Sequence, residues 1–373
     1  MRARLPQLDG IRGIAVLLVI FHNESTKFLS PHWGSVFANG WMGVDLFFVL
    51  SGFLITGILL DTKHSDGYFK NFYARRTLRI WPLYYSLIFF MFVILPFLRP
   101  AEAPTIFERS SPWWAYPLYL QNFLVSVPAN AVGLLGVTWS LAIEEQFYVV
   151  WPLVVRCCSS VLLGRIAVSV ICLSPLLRLF LASQGVILYS NTFSRLDGLM
   201  AGALLAIVAR SADFIPSRFL GKAWMVLFIA TPLAVLTEAV NARWIVFSMS
   251  AVASASLVYL SLYSEHTWLQ GALRNRVLVY TGTISYGLYL IHKIPFNMAE
   301  TFHLNRYPFA ACCVLRAGGF VLHLFREAVP ETQALLRVPI PPPGGCGPPL
   351  RCWRATSMKV FRPRMPLRWQ ASA

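Results

Sequence analysis

Several ionisable residues stand inside runs of the chain that are otherwise almost wholly apolar, and their types define the chemistry open to it. Near the start, Arg12, His22 and Asn23 interrupt an apolar stretch. A charge placed among hydrocarbon costs a few kcal/mol, about 2.5–3.5 at mid-membrane, unless it faces a bundle interior or a watery cavity. An imidazole in that setting suits general acid–base work. A snorkelling Arg12 and a His22 bonded to a neighbouring helix are the structural alternative. Further on, Arg75, Arg76 and Arg79 follow at i, i+1 and i+4 beside aromatic residues in NFYARRTLRIWPLYY. Guanidiniums grouped on one helical face match the oxygens of a phosphate-bearing ligand, although a cytoplasmic anchor of positive charge reads similarly.

Glu144 and Glu145 lie about two turns into TWSLAIEEQFYVVWP. Adjacent residues diverge by about 100° around a helix, so one carboxylate is expected to face a cavity and the other a partner such as Arg178 or Arg195. A desolvated carboxylate suits proton transfer. Asp45, opening GVDLFFVLSGFLIT, caps its helix or pairs with an arginine, and Ser51 with Gly52 permits close helix contact. Arg195 and Asp197 in FSRLDGLMAG form a second polar knot, and Tyr286 and His292 close the set in TISYGLYLIH.

The elements that carry these residues must be membrane helices. Of 373 residues 57% are hydrophobic and 13% charged, too little polar surface to wrap a water-soluble core of that size. Windows of ~20 apolar residues, the length a spanning helix needs, recur at 8–28, 41–60, 80–98, 138–155, 164–182, 196–210, 222–240, 244–262, 278–298 and 308–325. The expected fold is therefore all-α, a polytopic membrane bundle of about ten transmembrane helices. The short, proline-broken segment at 113–127 is expected at the interface, with Trp113, Trp114 and Tyr116 in the headgroup belt.

The formal charge of +16 lies between apolar segments, which speaks for topology and against nucleic acid as a partner. With the N-terminus in the cytoplasm, the inner loops before residue 312 carry fourteen Lys/Arg and the outer loops five, a positive-inside bias. The seven cysteines show no metal-ligand spacing, so no metal site is expected. The first apolar run reads as a membrane helix and not as a cleaved signal.

Taken together, LDGIRGIAVLLVIFH (8–22), GVDLFFVLSGFLIT, the Arg75-to-Pro82 segment, WSLAIEEQFY, RLDGLMAG and SYGLYLIH resemble the integral membrane acyltransferase-3 family. That family O-acylates lipopolysaccharide, exopolysaccharide, peptidoglycan and some small glycosides. The resemblance implies ten core helices with both ends cytoplasmic, acyl-CoA as co-substrate with no bound cofactor, a glycan acceptor, and the lipid bilayer as surroundings. It implies that an arginine and a histidine of the first helix, here Arg12 and His22, are needed for transfer. The family usually places ten residues between them, and this chain has nine. Eleven steps of 100° bring two side chains within ~20° of one face, while ten leave them ~80° apart. Either a local bulge restores the face, or Asn23 holds the usual histidine position.

On this reading Arg12, Arg75, Arg76 and Arg79 bind the donor, and His22 is the general base with Glu144 or Glu145 behind it. Asp45, Arg195, Asp197, Tyr286 and His292 complete the cavity. The rival classes are a secondary transporter with an intramembrane proton relay, and a non-catalytic acyltransferase remnant. Residues 1–311 form the expected membrane domain. From 312 to 373 nine Lys/Arg face two Glu, with clustered Pro, Trp and Cys and no helical or strand period. Shifting the codons of Phe325 to Gln333 by one base allows Phe-Glu-Lys-Pro-Phe, the family's usual ending, so this tail is expected to be out of frame and disordered.

Overall fold

A computed structural model describes residues 5–28, 37–98, 111–124, 133–211 and 214–294. Among these residues the chain is helical, with no strand. The main helices are α1 (Pro6–Phe28), α2 (Met42–Thr62), α3 (Tyr68–Phe89), α4 (Thr138–Cys157), α5 (Ser160–Ser183), α6 (Thr192–Val208), α7 (Leu220–Ala239) and α8 (Arg243–Tyr263). Three short ones follow: α9 (Thr267–Leu273), α10 (Arg276–Thr283) and α11 (Ser285–Ile291). Seven of the first eight expected spans each fall on one helix; that at 80–98 takes in the second half of α3, a π-turn and Leu95–Leu98, and the ninth is split between α10 and α11. The tenth, at 308–325, and the tail at 312–373 lie outside the described residues. Among the described residues, five segments are long and apolar enough to cross a membrane: Ala38–Thr62, Tyr68–Leu98, Ser160–Ser183, Pro216–Ala239 and Arg243–Tyr263.

The apolar pattern is turned outward on some helices and inward on others. α5 and α7 present Leu173, Leu176, Phe180, Phe228, Ile229 and Leu236 to the surroundings. An apolar belt of that extent would aggregate in water and is at home in a bilayer. α2 is instead mostly buried between its neighbours. Small residues let it get there. A Cβ on Gly52 would stand 1.9 Å from the Leu199 carbonyl oxygen, and one on Gly202 would stand 2.0 Å from that of Val49. α2 and α6 therefore touch backbone to backbone, as membrane helices do when glycine removes the spacer. α1 meets α10 the same way, with a Cβ on Gly282 falling 1.7 Å from the Asp9 oxygen and one on Gly13 2.3 Å from that of Leu278.

α3 starts at Tyr68, twelve residues before the expected span at 80–98, so the arginine segment is the first part of that same helix. A π-turn at Phe90–Ile94 follows, just before Pro96. Proline has no N–H for the i−4 carbonyl and its ring crowds it, and the widened turn absorbs the mismatch. The 113–124 stretch forms a short 3₁₀ turn at Trp113–Ala115 and further turns. Trp113 and Trp114 are exposed as expected of a headgroup belt, but Tyr116 is buried. Its carbonyl accepts from the Tyr84 hydroxyl at 2.9 Å, which pins the stretch to α3.

Candidate active site

One cavity of about 100 Å³ gathers side chains from α1, α2, α3, α4 and α11. Three guanidiniums, Arg12, Arg76 and Arg79, line it together with one carboxylate, Glu144. Ser51, Ser140, Tyr148, Tyr286 and Tyr289 supply hydroxyls, and Phe47, Phe48 and Leu54 are among its apolar walls. Arg79 is exposed while lining the cavity, so the cavity reaches the surface on its side.

Helix geometry explains which expected residues arrive. Arg76 and Arg79 are three apart and share a face, whereas Arg75, one step from Arg76, is exposed and does not line the cavity. The Arg76 guanidinium carbon lies 5.2 Å from the Tyr148 ring centroid. Arg12 enters from α1, held by Asp9 at 3.2 Å.

The two adjacent glutamates diverge as their spacing predicts. Glu144 faces the cavity and accepts two hydrogen bonds, from the Ser51 hydroxyl to Oε1 at 2.8 Å and from the Tyr148 hydroxyl to Oε2 at 2.8 Å. Glu145 turns away and accepts from Trp81 Nε1 at 3.4 Å. Neither meets Arg178 or Arg195, because both arginines are already paired at a separate knot. Arg178 Nη1 sits 2.9 Å from Asp197 Oδ2, and Arg195 Nη2 2.6 Å from Asp45 Oδ1. Ser248 bridges Arg178 and Asp197, and the Arg195 guanidinium lies 3.9 Å from the Phe247 ring centroid. These four residues are buried and, with Ser248, brace α2, α5, α6 and α8; Asp45, Arg195 and Asp197, expected in the cavity, do not line it.

α1 runs as an uninterrupted α-helix, so no bulge brings His22 back to the face of Arg12. His22 Nδ1 instead meets the Phe37 carbonyl at 3.2 Å, and the residue does not line the cavity. Asn23, eleven steps from Arg12, takes that face, and its amide stands 3.4 Å from His292 Nε2. His292 is buried, with Nδ1 against the Tyr289 carbonyl at 2.8 Å, and it too is off the cavity wall. Tyr286 does line the cavity, its hydroxyl donating to the Ile80 carbonyl at 2.8 Å.

Sequence reasoning missed Ser140, Tyr148 and Tyr289 as wall residues, and it took Ser51 only as a packing residue. A regular alternation would have found two of them: Ser140, Glu144 and Tyr148 recur every fourth residue, one stripe of α4.

Comparison of the whole chain with known proteins identifies its family. A family model described as an acyltransferase domain matches residues 5–322, most of the chain. The chain belongs to the acyltransferase-3 family. It is 30% identical over 317 residues to YrhL of Bacillus subtilis, provisionally named a peptidoglycan O-acetyltransferase, covering 77% of this chain and 48% of that protein. To the peptidoglycan O-acetyltransferase OatA of Listeria monocytogenes it is 29% identical over 323 residues, covering 78% and 49%. The chain thus spans about half the length of these acyltransferase-3 relatives. No solved structure matches it.

Proposed function

We propose that this chain is the membrane part of an O-acyltransferase that moves an acyl group, most simply acetyl, from cytoplasmic acyl-CoA to a hydroxyl of an envelope glycan. The observation that carries this is the convergence of Arg12, Arg76 and Arg79 with Glu144 on one cavity. Three guanidiniums against one carboxylate leave formal charge 3 − 1 = +2 on the wall, which suits the phosphates of the donor better than a neutral solute. The names of the relatives make peptidoglycan the favoured acceptor among envelope glycans. In this proposal the protein lies in the plasma membrane of a bacterium, N-terminus inside, so that Arg79 opens toward the donor's side.

In this reading the arginines hold the donor and Glu144 takes the proton. Ser51 and Tyr148 fix the Glu144 carboxylate by one hydrogen bond to each oxygen, leaving its remaining lone pairs at the cavity wall. His22 anchors the outer end of α1 on Phe37. Incubating membranes holding the protein with labelled acetyl-CoA tests the reading. It predicts release of free thiol that depends on Glu144 and rises with added glycan, and thiol release no faster than in empty membranes would refute it.

A further inference from the structure

The arrangement at Glu144 contains more than a base. A buried carboxylate needs donors, and the Tyr148 and Ser51 hydroxyls supply them. That need does not explain why Ser51 also lies on the cavity wall beside the arginines. A primary alcohol open to the cavity, a carboxylate within 2.8 Å of it, and a third group, Tyr148, that fixes the carboxylate from its far oxygen form the geometry of an activated nucleophile. Tyr148 reaches the Ser51 oxygen as well, at 3.3 Å, and is itself covered by Arg76. Gly52, next along the helix, locks this turn of α2 against α6, where a Cβ would meet the Leu199 carbonyl oxygen at 1.9 Å. The serine is therefore held on a rigid element.

Resting on the acyltransferase reading above, we propose that Ser51 is a covalent nucleophile and carries the acyl group between donor and acceptor. In the first half Glu144 takes the Ser51 proton as the Ser51 oxygen attacks the thioester carbonyl. The C–S bond breaks, and the departing thiolate takes the proton from Glu144 to leave as the free thiol. In the second half Glu144 takes the proton of the acceptor hydroxyl, whose oxygen attacks the acyl-serine ester. That ester C–O bond breaks, and the proton returns to Ser51. The sum is thioester plus alcohol giving ester plus thiol, with Ser51 and Glu144 regenerated. The acyl group thereby waits on the protein inside the bundle, so donor and acceptor need not occupy the cavity together.

The test uses the purified full chain in lipid vesicles with radiolabelled acetyl-CoA and no acceptor, quenched in acid at times from milliseconds to minutes. The expected result is label that stays on the denatured protein, is released by alkaline hydroxylamine, and maps to the peptide holding Ser51. Adding a soluble glycan acceptor discharges it. Ser51→Ala is expected to hold no label and to transfer at least a hundredfold more slowly, while keeping wild-type abundance and donor binding within about twofold. Ser51→Cys is expected to hold label that neutral hydroxylamine removes. Transfer to the acceptor without label on the wild-type protein, label on another residue, or an active Ser51→Ala protein overturns the inference and leaves the acyltransferase reading standing. A wild-type protein that neither holds label nor releases thiol overturns both.

Discussion

Arg76 differs from Arg75 by a single step along α3, and that step decides which of them lines the cavity where the proposed donor would bind. Arg76→Ala is expected to raise the KM for acyl-CoA about tenfold or more, equivalent to ~1.4 kcal/mol of lost binding, with Arg75→Ala within about twofold of wild type. Steady-state kinetics in membranes checks the pair. Among the acids, Glu144→Gln removes the proton acceptor and should lower transfer ~10²–10⁴-fold, whereas Glu145→Gln, off the cavity on Trp81, should lower it less than about tenfold. His22→Ala is expected to cost less than about tenfold, since its ring turns to Phe37. A His22→Ala protein as inactive as Glu144→Gln would return the base to the first helix. The residue types were legible in sequence, and so was the divergence of the two glutamates, because helix periodicity is local. The pairing of Asp45 with Arg195 was not, because that pair joins helices far apart in the chain: the two residues are 150 apart.

At the level of the helices, two devices hold the cavity walls in register. The first is close backbone contact between α2 and α6. Gly202→Val adds a Cβ and two methyls at a point where the Cβ alone would stand 2.0 Å from the Val49 carbonyl oxygen. Overpacking of an interior costs about 1–3 kcal/mol, and here the obstacle is backbone, so the variant should lose monodisperse protein or several degrees of Tm in detergent. The second is the buried pair of ion bridges, Arg178–Asp197 and Arg195–Asp45. Arg195→Met leaves Asp45 buried without its partner and is expected to cost about 3–5 kcal/mol. The double change with Asp45→Asn should recover part of that loss, and thermal unfolding of the four proteins measures the coupling. Helix positions were legible from apolar windows alone, since a spanning segment must be long. What the windows hid is that the arginine segment belongs to α3 and that the ninth span breaks at Thr283–Ser285, because a polar helical turn and a short break change composition little.

For the whole molecule, the proposed reaction has a positively charged cavity take the donor from one side of the membrane and serve an acceptor on the other. The charge bias predicts the loop after α2 inside and the segment before α2 outside. Lys63→Cys should resist an impermeant thiol reagent in intact cells and Asn39→Cys should react, and the reverse pattern would invert the topology. The family was legible in sequence because its motifs are carried by six separated segments in order, whereas which donor and which acceptor are used depends on cavity contacts that no motif spells out. Transfer of an acyl group by this chain is best followed through both halves of the reaction at once. Purified protein in vesicles receives labelled acetyl-CoA and soluble peptidoglycan fragments, with free thiol and labelled glycan counted together. One labelled ester per thiol released is expected, with both signals lost in Glu144→Gln. Thiol release without labelled glycan, or equal signals from wild type and Glu144→Gln, would contradict acyl transfer as described.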